Sequence, residues 1–265
     1  MKNSPYLQQL DIMTQVTRKA GEIAREFQAK GFKQLDMKEK GDPFLTEADI
    51  AIDTHLKTSL MKAFPDYGWY SEETKPTEEC LTKEFCFVVD PIDGTRDFVE
   101  RNGEFSISVG LIHNGKPVVG IVYAPMKDRF ISGAKGTGVM LNGEVQPAIA
   151  EKNVAGSEVV VSRSETRAGL WAPFEDKLNI GVVGSAAHKI ALVAIGMADA
   201  NPSLKPKNLW DICAGQFLVE EAGGHFVQLN GEEIEYTDIN YRLKNYVAGP
   251  SKAYNTELMQ ILNSK

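Results

Sequence analysis

Phe85-Cys86-Phe87-Val88-Val89-Asp90-Pro91-Ile92-Asp93-Gly94-Thr95-Arg96-Asp97-Phe98 runs from an apolar strand pattern directly into a turn holding two carboxylates. Two acids at the end of a buried strand cost Coulomb and desolvation energy unless a cation neutralises them, and oxygen ligands on a tight turn suit a hard ion such as Mg²⁺. Gly94 and Thr95 follow at once, and a turn opened by glycine presents backbone N–H groups and a hydroxyl to an anion. A metal beside an anion nest points to phosphate chemistry.

Outward from this turn the chain reads as α+β in its first half. Leu7, Leu10, Met13, Val16, Ala20, Ile23, Ala24 and Phe27 recur at helical spacing up to Gly31. A second helix is predicted after the cap Thr46, with Glu47 and Asp49 in its first turn, a stripe of Ile52, Leu56, Leu60 and Phe64, and a stop at Pro65. Beyond the turn, residues 105–111 alternate as a strand and Asn114-Gly115 marks a hairpin to Val118–Tyr123. Pieces at 130–133 and 139–141 extend an antiparallel meander. From Val159 short strands alternate with helices: a polar helix near 166–177, a strand over 180–183, a small-residue helix over 186–198, a helix over 210–221, strands at 226–229 and 246–248, and a last helix near 252–262. This alternation predicts a second α/β sheet. A soft boundary near residue 150 divides an N-terminal α+β part, 1–150, from a C-terminal α/β part, 151–265, with a cleft between them as the natural active site.

Bulk composition narrows the function classes. The 265 residues are 43% hydrophobic, enough for a substantial core, and no apolar run approaches the roughly 20 residues of a membrane span. With no signal-peptide apolar region at the start, a cytoplasmic location is expected, peripheral membrane association remaining open. Cys80, Cys86 and Cys213 form no CxxC pair, and the four histidines show no HxxxH or HExxH spacing, so neither a disulfide framework nor zinc is indicated. A net charge of −7 argues against broad nucleic-acid binding, but not against a small phosphorylated substrate at a metal-bearing cleft.

Two further acids stand among apolar or aromatic neighbours: Glu72 in Tyr70-Ser71-Glu72-Glu73-Thr74 and Asp211 in Leu209-Trp210-Asp211-Ile212-Cys213. Alone, Asp211 reads as a helix cap or first-turn acid and Glu72 as solvated surface. Taken together, Glu72-Glu73, Asp90-Pro91-Ile92-Asp93-Gly94-Thr95 and Trp210-Asp211, followed by Ala214-Gly215 and Glu221-Ala222-Gly223-Gly224, resemble the three signatures of the inositol monophosphatase superfamily, in order and separation, from about Asp42 to about Gly231. The resemblance implies a layered αβαβα sandwich and a Mg²⁺-dependent, commonly lithium-sensitive phosphomonoesterase, with dimers usual. It implies that Glu72, Asp90, Asp93, Asp211 and the Ile92 carbonyl hold two or three Mg²⁺ ions. Pro91 fits this role, because a regular strand would send Asp90 and Asp93 to alternating faces. Asp49 is implied as the partner of Thr95, the two orienting or deprotonating an attacking water, with Glu72 supporting catalysis. Gly94 and Thr95 would hold phosphoryl oxygens.

Finer similarities favour one branch. Arg101-Asn102-Gly103-Glu104-Phe105, Val160-Val161-Ser162-Arg163-Ser164, and Ser185 with Lys189 in Gly184-Ser185-Ala186-Ala187-His188-Lys189 are similar to the 3′(2′),5′-bisphosphate nucleotidases of sulfur assimilation, which convert 3′-phosphoadenosine 5′-phosphate to AMP and phosphate. Ser185, Lys189 and Asp211 are the implied substrate contacts. Ala186 and Ser203 depart from that branch, where a serine and an arginine meet substrate, and His188, Arg163 and Lys205 are candidates to compensate. Inositol-1-phosphate phosphatase and fructose-1,6-bisphosphatase are the alternatives within the superfamily. A haloacid-dehalogenase-type phosphatase would place one residue between its aspartates, whereas Pro91-Ile92 separates these two. A regulatory binding protein of the same fold is the alternative of another class, disfavoured because a carboxylate cluster without its metals is destabilising.

Overall fold

The computed structural model describes residues 4–35, 44–77, 79–232 and 234–264. Residues 1–3 and Asp42, where the family resemblance begins, lie outside that set. Helix α1 (Leu7–Lys30) buries Leu10, Met13, Thr17, Ala20 and Ala24 along one stripe and ends at Gly31, whose N–H bonds to the Phe27 carbonyl at 2.9 Å. Helix α2 (Glu47–Ala63) starts from the predicted cap Thr46 and buries Ile52, Leu56 and Leu60. Both pack on one face of a seven-stranded sheet.

That sheet comprises β1 (Gly68–Ser71), β2 (Phe85–Asp93), β3 (Ser106–His113), β4 (Lys116–Ala124), β5 (Arg129–Ala134), β6 (Gly138–Leu141) and β7 (Glu144–Val145), in sequential order. Only β1 and β2 run parallel; the rest form the predicted meander. Alternation sorts the faces: Phe87, Val89, Val109, Leu111 and Ile121 meet α1 and α2, while Cys86, Val88, Ile112 and Val122 face the other way. Against this second face lie helices α5 (Ala186–Ala194) and α6 (Leu209–Glu221). Gly110 and Gly120 are cross-strand partners beneath α6, and a Cβ on either would stand 2.6 Å from Cys213 Sγ or from the Ala214 carbonyl oxygen. The bare backbone lets the helix seat directly on the sheet.

The second sheet has β8 (Glu158–Ser162) parallel to β9 (Asn179–Val183), and β10 (Asn201–Ser203) antiparallel to β12 (Tyr246–Gly249), which also pairs β11 (His225–Gln228). A parallel bridge from Val159 to Ala200 joins the two groups. Helix α7 (Lys252–Asn263) closes the outer face over Val161, Trp171, Phe174 and Val247. The layers are therefore α, β, α, β, α, the sandwich that the resemblance implies.

Two predicted helices are corrected. Instead of a polar helix over 166–177, a single turn, α4 (Arg163–Arg167), gives way at Gly169 to irregular chain with a 3₁₀ turn at Ala172–Phe174. Gly169 at φ +72 and Pro173 interrupt the helix, and the chain bends to bury Trp171 and Phe174. The small-residue helix stops at Ala194 rather than 198, because Gly196 takes φ +69.

Candidate active site

Strand β2 ends as the opening turn predicts. The ladder to β3 shifts register between Asp90 and Asp93, a bulge at Pro91-Ile92 that re-aims the chain and brings both acids to one place. Helix α3 (Thr95–Val99) begins directly after Gly94, which sits at φ +93, and a Cβ there would lie 3.3 Å from the Ser185 amide nitrogen. Only glycine suits both the angle and the contact.

Each remaining acid is fixed by its own element. Asp211 lies in the first turn of α6, where its Oδ2 accepts the Asn208 N–H at 2.7 Å in a capping box. Glu72 leaves the end of β1, its N–H bonded to the Val89 carbonyl at 3.2 Å. Buried Asp53 holds the segment on both sides of Glu72, accepting from Ser71 Oγ at 2.5 Å and Thr74 Oγ1 at 2.6 Å. Asp49 combines both readings of it. One oxygen accepts from Thr46 N at 2.8 Å and Thr46 Oγ1 at 2.6 Å, and the other stands 3.4 Å from Thr95 Oγ1. The Thr95 hydroxyl lies nearer the Ile92 carbonyl, at 3.0 Å.

Asp93 ties the two sheets together. Its Oδ2 accepts from Ser185 Oγ at 2.5 Å and from Ala187 N at 2.6 Å, at the start of α5. Ser185 itself has φ +59, a conformation a serine holds only when its surroundings over-determine it. Those surroundings are Asp93, Ser106 Oγ at 2.9 Å, the His188 N–H at 3.0 Å, and Lys189 Nζ on the Ser185 carbonyl at 2.5 Å.

These elements enclose a cleft of about 360 Å³. Of the residues predicted for the site, Glu72, Asp90, Ile92, Asp93, Gly94, Thr95, Ser185, Lys189 and Asp211 line it, and Asp49 stands behind Thr95. Ser162, Arg163 and Ala186 also line it, whereas Arg101, His188, Ser203 and Lys205 do not. Arg101 instead donates to the Gln28 carbonyl at 3.0 Å. His188 is buried with both ring nitrogens unpartnered among the described residues, and burial, followed by the charge of Arg129, pushes it down to about 3, so it is neutral.

One carboxylate oxygen each of Asp90, Asp93 and Asp211 lies within 4.8 Å of the others. Asp90 Oδ1 is buried and has no hydrogen-bond partner among the described residues. A buried carboxylate oxygen without a donor, beside two further carboxylates, is what a hard divalent cation satisfies. Burial, reinforced by Asp211 and Glu73, raises Glu72 well above the usual carboxylate range, and burial with Glu72 and Asp93 does the same to Asp90. Burial lifts Asp49 and Asp211 to about 6, against the cation of Lys207 in the case of Asp211.

A carboxyl whose folded-state pKa exceeds its unfolded value binds more protons folded than unfolded between the two, so the contributions of Asp49 and Asp211 to stability are full below about pH 4 and are lost as pH rises through about 6. In EDTA these groups therefore lower the melting temperature as pH rises from 5 to 8. Mg²⁺ is expected to raise it more at pH 8 than at pH 5, and a stabilisation by Mg²⁺ independent of pH would contradict a carboxylate site.

The family model for the inositol monophosphatase family matches residues 7–265. The chain belongs to the inositol monophosphatase family. Members are Mg²⁺-dependent phosphatases, and the chain is a phosphatase-family enzyme with an acidic cluster able to bind metal. Among curated relatives it is 34% identical over 232 residues to the 3′(2′),5′-bisphosphate nucleotidase CysQ of Escherichia coli strain K12, covering 86% of this chain and 94% of that one. It is 31% identical over 246 residues to a fructose-1,6-bisphosphatase/inositol-1-monophosphatase of Aquifex aeolicus, covering 88% and 91%. Among solved structures, an IMPase of Thermotoga maritima superposes with a TM-score of 0.84 at 25% identity, covering 97% of both chains. No helix of the described residues is long and apolar enough to cross a membrane.

Several residues that shape this site escape sequence reasoning. Asp53, Ser106, Asp97 and Glu104 act through partners remote in sequence, as when Arg163 Nε bonds Asp97 at 3.2 Å and its guanidinium also engages Glu104. For Asp53 one signal was present, a carboxylate on the buried stripe of α2 one position after Ile52.

Proposed function

We propose that the chain is a Mg²⁺-dependent 3′(2′),5′-bisphosphate nucleotidase that removes the 3′-phosphate of 3′-phosphoadenosine 5′-phosphate. The observation that carries this reading is a single cleft whose floor is acidic and whose wall, from Ser162 to Arg167 and from Ser185 to Lys207, is cationic and polar. The acidic floor suits metal and the scissile phosphate; the wall suits a second anion. Its likeness to CysQ over most of both chains supports the same branch.

In this reading Glu72, Asp90, Asp93, Asp211 and the Ile92 carbonyl hold two or three Mg²⁺ ions, residues 1–150 supplying most of the ligands and 151–265 closing the cleft. Bound Mg²⁺ supplies neutralisation of the ester oxygens and a lowered pKa for water. Thr95 orients the attacking water through its hydroxyl. Asp49, lifted to about 6, is poised to take up a proton near neutral pH. The Gly94 and Thr95 N–H groups face the phosphoryl oxygens, and Asp93 holds Ser185 and α5 against them. Lys189, its amine pushed down to about 8 by burial and then by Lys207, braces Ser185 and adds positive charge to the wall.

The test is kcat/KM for 3′-phosphoadenosine 5′-phosphate, inositol 1-phosphate and fructose 1,6-bisphosphate in Mg²⁺. The nucleotide is expected to lead by at least about tenfold, the discrimination one well-made charged contact gives. Preference for either other ester would overturn the nucleotidase reading while leaving the phosphatase standing.

A further inference from the structure

The cleft carries five cations on its described lining, and most are already engaged. Arg163 is held by Asp97 and Glu104, Arg167 makes two bonds of 3.0 Å to Glu100, and Lys189 donates to the Ser185 carbonyl. Arg96 lies over the Phe44 ring, 4.6 Å from its centroid. Lys207 alone of these has neither an ion pair nor a side-chain hydrogen bond nor a ring contact with a described residue, yet it lines the cleft beside Asn208, Lys189 and Asp211.

Its backbone is fixed to an unusual degree. Lys207 and Asn208 pair antiparallel with Leu243 and Arg242. On the preceding side, the fully buried carboxylate of Glu165, in α4, accepts from Ser203 Oγ at 2.9 Å, Leu204 N at 3.1 Å and Lys205 N at 3.0 Å, while its other oxygen accepts from Trp171 Nε1 at 3.0 Å. Three of these four donors lie on 203–205 and tie the chain just before Lys207 to α4, which forms the facing part of the wall. The same network disposes of Ser203, whose hydroxyl is turned inward and buried. Position 203 therefore cannot grip substrate here.

We propose that Lys207 is the specificity-determining residue of this cleft, the ammonium that binds the second phosphate group of a two-phosphate ester, with Glu165 as the positioning residue that holds its segment in place. The assignment rests on the bisphosphate reading above. Lys207 lines the same cleft as Lys189 and Asp211 and directly precedes Asn208, whose N–H bonds the Asp211 carboxylate at 2.7 Å, so its charge stands beside the space where substrate would lie. A lysine without an internal carboxylate, on a rigid segment, meets an incoming anion without first breaking an ion pair.

The test measures KM and kcat of Lys207→Ala and Lys207→Arg with 3′-phosphoadenosine 5′-phosphate and inositol 1-phosphate, together with the Mg²⁺ concentration giving half-maximal rate. Lys207→Ala is expected to raise KM for the bisphosphate about tenfold, with kcat, the inositol phosphate KM and the Mg²⁺ requirement within about twofold, and Lys207→Arg is expected to recover most of the loss. Equal KM increases for both esters, or a displaced Mg²⁺ requirement, would make Lys207 a general neutraliser of the acidic floor and overturn the assignment. So would an unaltered bisphosphate KM. If the wild type releases no phosphate from the nucleotide, the nucleotidase reading falls separately and fructose 1,6-bisphosphate replaces it in the same series. A selective KM increase with that ester upholds Lys207, and an equal shift with inositol 1-phosphate, or no turnover of either bisphosphate, overturns it.

Discussion

Asp93→Asn is expected to reduce phosphate release by about a thousandfold or more while leaving the chain folded. Asp93 Oδ2 is committed to Ser185 Oγ and Ala187 N, both donors. An asparagine side chain keeps an oxygen for those donors and so preserves the link between the bulge after β2 and the start of α5. What it loses is the negative charge shared with Asp90 and Asp211, on which a hard cation depends. Removing one charge from a cluster in which burial and mutual repulsion already raise Glu72, Asp90 and Asp211 relieves strain in the metal-free protein. The variant should therefore melt in EDTA at or above the wild-type temperature and lose most of the stabilisation that Mg²⁺ gives. Activity assay and thermal melts check both halves. Near-normal turnover would remove Asp93 from the metal set, and a variant unfolded at room temperature would mean that its charge, and not its acceptor, holds α5.

Glu165→Ala is expected to cost about 3–5 kcal/mol of stability, because four neutral donors lose their buried acceptor at about 1–3 kcal/mol each and water recovers part of that. The truncation leaves the Ser203 hydroxyl, two backbone N–H groups and the Trp171 indole N–H without their acceptor, in a region where Trp171 is itself fully buried. For a chain of this size such a loss corresponds to a fall in melting temperature of roughly 6–20 °C. Amide exchange should accelerate first at Leu204 and Lys205. Glu165→Gln, which keeps one acceptor oxygen, should recover part of the loss. A melting temperature within a degree or two of wild type would show that water replaces the carboxylate, and the rigidity argued for segment 203–205 would go with it.

The ease with which particular elements were read from the sequence tracks how local their causes are. Helix α2 was legible because its cap, first-turn acids and apolar stripe all lie within one segment, and the β3–β4 hairpin because Asn114-Gly115 demands a tight turn. The opening turn was legible for a related reason. Two acids after five apolar residues violate the ordinary pattern, and the structure gathers them with Asp211 into an acidic cluster able to bind metal. The stretch 166–177 misled because its polar composition matches a solvated helix, while the burial of Trp171 and Phe174 depends on an outer core assembled from β8, β12 and α7. Lys207 was invisible for the same reason. In sequence it is one lysine of a polar segment, and the grip of Glu165, 42 positions earlier, together with the pairing to Arg242 and Leu243, brings that segment to the cleft. Conversely, His188 and Lys205 carried suitable chemistry in the right neighbourhood, and the direction each residue takes from its helix or loop removed both from the lining.

Phosphate release from 3′-phosphoadenosine 5′-phosphate by the wild-type chain, followed while Mg²⁺ is added back to EDTA-treated protein, tests the central claim most directly. The account predicts no release above background in EDTA and a saturable rise with Mg²⁺. Release that persists undiminished in EDTA would contradict it, since the Asp90, Asp93 and Asp211 cluster would then serve some purpose other than holding a catalytic cation.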